Sequence, residues 1–100
     1  MTAPVRARIL AENWTIEYHP NLYGDDGSVE LGQTDEDVYT IRIKHGPLQQ
    51  MRKVLLHELI HVADHRGQIG LTEEQIVHLE NQLFAILSDN PKLRTWIFKP

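Results

Sequence analysis

At Gly46-Pro47 the apolar residues of this chain change period, and the change separates two kinds of structure. Upstream, residues 14–19 read Trp-Thr-Ile-Glu-Tyr-His, the two-residue alternation of a half-buried strand. Gly24-Asp25-Asp26-Gly27 is a turn signal, residues 28–33 alternate again with Val29 and Leu31 expected inward, and residues 34–37 form a polar turn. Residues 38–44, Val-Tyr-Thr-Ile-Arg-Ile-Lys, are rich in the β-branched and aromatic types that suit a strand. Three short strands joined by tight turns predict a three-stranded antiparallel meander.

Downstream the period is helical. Pro47 suits the first position of a helix, where its missing N–H has no helical partner. Leu48, Met51, Leu55, Leu59 and Val62 follow at three- and four-residue steps. Val54, Leu56 and Ile60 widen that stripe, so this helix should be covered on more than one side, ending near Arg66-Gly67. Thr72 with Gln75 three residues later is a capping box opening a second helix, whose stripe is Ile76, Leu79, Leu83 and Leu87 and which ends before Asn90-Pro91. The tail, residues 93–98, is expected as a short strand or a packed extension. Together these readings give an α+β fold in a single domain spanning residues 1–100, a length at which one hydrophobic core is usual.

Composition narrows the chemistry. There is no cysteine, so disulfides, thiolate-bound metal and thiol catalysis are excluded, and any metal must be held by histidine and carboxylate. The net charge of −4 argues against nucleic acid as a partner, because such binding rests on neutralising phosphates. The acids are unevenly placed: residues 9–41 hold Glu12, Glu17, Asp25, Asp26, Glu30, Asp35, Glu36 and Asp37 and no Lys or Arg. Such a surface favours cationic partners. No run approaches the length of a membrane span, and Ile9-Leu10-Ala11 after Arg6 and Arg8 is too short for a signal-peptide core, so no membrane association and a cytoplasmic location are expected.

Inside the first helix lies His57-Glu58-Leu59-Ile60-His61. Residues i and i+4 share a helix face about 6 Å apart along the axis, so both imidazoles can converge on one ion. Glu58, one residue step round, can place its carboxylate beside a metal-bound water as general base, the arrangement of a metal-assisted hydrolase. With this chain's histidine and glutamate content, about three shuffled chains in a hundred would contain the pattern. A catalytic zinc takes three protein ligands and leaves a position for water. His65 at i+8 lies about 12 Å from His57 on a continuous helix and is read as a helix-end residue favourable to the dipole. Asp64 is placed either to orient an imidazole or as a solvated helix-end acid. The second helix offers Glu73, Glu74 and Glu80; Glu73 and Glu80 project to its core-facing side and Glu74 away, and geometry from sequence does not choose between the first two. His19, His45 and His78 have no convergent spacing.

The histidine motif resembles that of the zincin metallopeptidases. With Tyr39-Thr40-Ile41-Arg42-Ile43, Leu48-Gln49-Gln50, Leu55-Leu56, Leu71-Thr72-Glu73-Glu74-Gln75-Ile76, Leu79 and Asp89-Asn90-Pro91, the chain over residues 38–91 resembles small phage- and prophage-encoded metallopeptidases related to the ImmA/IrrE type. The resemblance implies a minimal zincin-like fold, with the sheet packed on the motif helix and a second helix carrying the third ligand. It implies Zn²⁺ held by His57, His61 and Glu73, Glu58 as general base, and a peptide or protein as substrate. Val77 stands where the family has a further acid, and the interval from His61 to Glu73 is short for a glutamate-ligated zincin, so Glu80 stays an alternative. The metzincin branch is not matched, since Asp64 and Gly67 replace its Gly and His. The resemblance also implies that residues 38–44 lie along the cleft and pair with an extended peptide. Tyr39 is weighed as an oxyanion donor against a packing role. Two rival readings are a non-catalytic zinc-stabilised binding module and a metal-free helical adaptor.

Overall fold

The computed structural model describes residues 2–100, in the order β1 (Arg6–Ile9), β2 (Glu12–His19), β3 (Gly32–Asp35), a 3-10 turn (Glu36–Val38), β4 (Thr40–Lys44), α1 (Leu48–Gly67), α2 (Glu73–Asp89) and α3 (Pro91–Phe98). It is an α+β fold, and its sheet is four-stranded and mixed, in the order β1-β2-β4-β3. The expected three-stranded antiparallel meander is thereby corrected. Residues 20–31 carry the chain across the sheet, β3 runs along its far edge, and β4 inserts between β3 and β2, parallel to β2 with Ile16 beside Ile41 and Tyr18 beside Ile43.

The extra strand, β1, pairs antiparallel with β2 through a two-residue turn at Leu10-Ala11. Both residues have positive φ (49° and 68°), which the twist of a tight hairpin demands and which Gly or Asn normally supplies. Neither residue signals a turn in the sequence. The strand expected over residues 28–33 is displaced to Gly32–Asp35, and Val29 and Leu31 are 64% and 47% exposed instead of inward. Val29 makes only an isolated bridge to Tyr23, flanking a turn in which the Asp26 carboxylate accepts from the Ser28 N–H and hydroxyl.

The core forms where the alternating residues of β2 and β4 meet α1. Trp14, Ile16, Ile41, Ile43 and Val62 are buried, with Met51, Val54, Leu55 and Leu59 packed against them. Leu48, at the start of the predicted stripe, is exposed. Arg66 ties the far end of α1 to the sheet: it lies over the Trp14 and Tyr39 rings (5.9 and 5.6 Å) and pairs with Glu12 and Glu36.

α2 packs chiefly on α1, through a face containing Ile76, Glu80 and Phe84, while Leu79 and Leu83 of the predicted stripe remain 39% and 38% exposed. The tail is a helix, not a strand: Pro91 opens α3, and Asn90 Nδ2 and Arg94 Nη1 donate to the Ile86 and Leu87 carbonyls that α2 leaves free. Trp96 and Phe98 are exposed on it. Among the described residues no helix is long and apolar enough to cross a membrane.

Candidate metal centre

Two local devices place the site. α1 ends at Gln68, whose positive φ of 52° turns the chain, and Asp64 Oδ1 accepts from the backbone N–H groups of Gly70 and Leu71. Asp64 therefore shapes the loop between the helices, and the imidazole-orienting alternative is corrected. The capping box then starts α2: Thr72 Oγ1 accepts from the Gln75 N–H, and Gln75 Oε1 accepts from the Thr72 N–H. Because the cap fixes where the helix begins, Glu73 is its first residue, directed at the histidines.

His57 Nε2 lies 2.9 Å from Glu73 Oε1, His61 Nε2 lies 3.1 Å from Glu73 Oε2, and the two Nε2 atoms are 3.2 Å apart. The three residues each offer a donor atom within one 4.8 Å group. Zinc–nitrogen and zinc–oxygen bonds of about 2.0–2.1 Å in tetrahedral geometry separate any two donors by about 3.3 Å; the two Nε2 atoms have that spacing, and the Glu73 carboxylate spans them with one oxygen toward each. Two imidazoles and a carboxylate are also a donor set that zinc takes in open catalytic sites.

The structure separates the other acids of α2. Glu80 Oε1 meets the opposite nitrogen of His57, Nδ1, at 2.7 Å, so it does not join the triangle. Glu74 is exposed, 3.9 Å from His78. His65 lines the cleft from the last turn of α1 but stands outside the donor group. His19 contacts Glu17 on the sheet.

Glu58 points from α1 to the sheet edge. It is 6% exposed and accepts a hydrogen bond of 2.8 Å from Thr34 Oγ1 on β3. Burial raises its pKa above the ordinary carboxylate value, partly offset by the Thr34 hydrogen bond and the neighbouring imidazoles. Gly32, two residues before Thr34 on the same strand face, makes room: a Cβ there would lie 2.6 Å from Val54 Cγ1 and 2.9 Å from Glu58 Oε2. Sequence reasoning missed Gly32 and Thr34. The only available signal was a glycine in an alternating run, which marks a close approach without naming what approaches.

A cleft of about 1060 Å³ opens over His57, Glu58, His61 and Glu73, walled by Asp25, Asp26, Glu30, Asp35, Glu36 and Asp37. Its one arginine, Arg42, faces Glu17 at 3.5 Å and Asp35 at 3.6 Å. The strand expected to border the cleft as a free edge does not do so: β4 is paired on both sides, and the edge is β3. Tyr39 does not line the cleft. Its ring packs edge-on against Trp14 at 5.6 Å, and the hydrogen bond to Glu12 raises its pKa, the arrangement of the packing alternative. Comparisons with models of known protein families, with curated proteins and with solved structures found no match.

Proposed function

We propose that this chain is a zinc-dependent metallopeptidase of minimal zincin-like fold, with Zn²⁺ held by His57, His61 and Glu73 and with Glu58 as general base. The observation that carries the reading is the convergence of two imidazole Nε2 atoms 3.2 Å apart on the Glu73 carboxylate, one oxygen near each, with the buried Glu58 carboxylate one residue along the helix. Zinc bound there would supply Lewis acidity, bringing a water close to neutral pKa and polarising a carbonyl. Glu58, desolvated and held by Thr34, takes the water's proton and returns it to the leaving amine. The free edge of β3 runs beside Glu58, and an extended peptide adding to that edge would present its backbone to the site. The acidic walls favour peptides carrying basic side chains.

The test joins metal analysis to hydrolysis. Protein purified without added metal should carry stoichiometric zinc and cleave basic peptides, and Glu58→Gln should keep the zinc while lowering hydrolysis at least about 100-fold. Hydrolysis unaffected by Glu58→Gln would overturn the assignment. Zinc without hydrolysis would mark a zinc-stabilised binding module, and absence of zinc a metal-free adaptor.

A further inference from the structure

We propose that Glu80 is a positioning residue for the metal centre: its carboxylate holds His57 in the orientation and tautomer that turn Nε2 toward Glu73 and His61. The inference rests on the metal assignment above but not on peptide hydrolysis. An imidazole presents a lone pair at one nitrogen only when the proton is on the other. The nitrogen of His57 that faces away from Glu73 is Nδ1, and Glu80 Oε1 lies 2.7 Å from it, the short separation of a charge-assisted hydrogen bond. Nδ1–H donating to Glu80 leaves Nε2 as the free donor.

The contact is enclosed, with the two side chains 16% and 14% exposed. A carboxylate so placed is costly without partners. Glu80 has two: His57 Nδ1 and, at 3.8 Å from its other oxygen, Lys53 Nζ. Lys53 also donates to Asn81 Oδ1 at 2.8 Å, which holds the ammonium against α2. Lys53 and His57 are one turn apart on α1, and Glu73 and Glu80 are two turns apart on α2, so each helix brings both of its groups to the shared interface. His61 differs: among the described residues its ring meets His57 and Glu73, both through Nε2, and no carboxylate holds its Nδ1. The two histidines of the motif are therefore unequal, with a carboxylate at Nδ1 of His57 and none at Nδ1 of His61 among the described residues.

Zinc affinity, measured by competition with a chromophoric chelator on the intact chain, tests the proposal. Glu80→Gln, which keeps an acceptor but not the charge, and Glu80→Leu, which keeps neither, should weaken zinc binding by about 10-fold and about 100-fold in that order. Glu74→Gln, on the exposed side of the same helix, should bind like the wild type. Nitrogen-15 NMR of the metal-free chain should show His57 protonated at Nδ1, and Glu80→Leu should remove that preference while α-helical circular dichroism is kept. Equal affinity in all four proteins, or a His57 ring protonated at Nε2, would overturn the proposal, as would a wild-type chain that binds no zinc. If affinity falls as expected while no peptide is cleaved, the positioning role stands and the peptidase reading fails.

Discussion

Helix α1 has two neighbours, and it meets them with opposite chemistry. Toward the sheet it contributes Val62 and, around it, Met51, Val54, Leu55 and Leu59, closing on Trp14, Ile16, Ile41 and Ile43. Toward α2 the one fully buried apolar side chain from the opposing helix is Ile76, with Phe84 half-buried under Lys53, and beside them His57, His61 and Lys53 meet Glu73, Glu80 and Asn81. The first interface removes apolar surface from water and needs nothing added. The second gathers imidazoles and carboxylates, whose burial is favourable only with protons or a cation among them. Stability and chemistry are thus carried by different faces of one helix.

The largest effect expected from this division is in the sheet-side core. Ile41 is fully buried in a strand paired on both sides, so Ile41→Ala should destabilise the metal-free protein by about 2–5 kcal/mol in denaturant unfolding. Leu83→Ala, on the outer side of α2, should cost no more than about 0.5 kcal/mol. Equal costs would break the comparison. The next effect belongs to the metal. Free zinc at about 100 times its dissociation constant should stabilise the fold by about 2.7 kcal/mol, and chelation should remove that gain. Hydrogen exchange should then rise mostly in α2 while β4 stays protected; a uniform rise over both would show that the two interfaces are one cooperative unit.

The same division explains what could be read in the sequence. The motif helix, its two sides and the capping box were legible because each is set by residues within a few positions of one another. The sheet was less so. The insertion of β4 between β2 and β3 depends on a long-range pairing, and the Leu10-Ala11 turn adopts positive φ without a residue that announces it. The stripe on α2 held only in part for a related reason: Ile76 is buried and Leu87 half-buried, but Leu79 and Leu83 have the same helical spacing and stay exposed, because the face that packs is chosen by the partner helix, which receives Ile76 and Glu80. In the site, the histidines and Glu58 were fixed by one motif, whereas Glu73 and Glu80 could be told apart only by seeing which nitrogen of His57 each one meets.

Glu58 is the one carboxylate of the site that crosses to the other interface, and it gives the smallest and sharpest test. It leaves the polar face of α1, is buried against the sheet edge, and takes its hydrogen bond from Thr34 in the space that Gly32 leaves open. If Thr34 serves to hold this carboxylate, the isosteric Thr34→Val should cost about 1 kcal/mol of stability, since it strands a buried acceptor. On the proposed function it should also lower kcat about 10-fold while KM and zinc content stay unchanged, because Glu58 is displaced but His57, His61, Glu73 and the cleft walls are not. Thr34→Ser keeps a hydroxyl at the same position and should restore both. A Thr34→Val protein that loses zinc instead would place β3 in the metal-side network. One that loses stability alone would assign Thr34 to the core, and the boundary between the two faces of α1 would then run on the other side of Glu58.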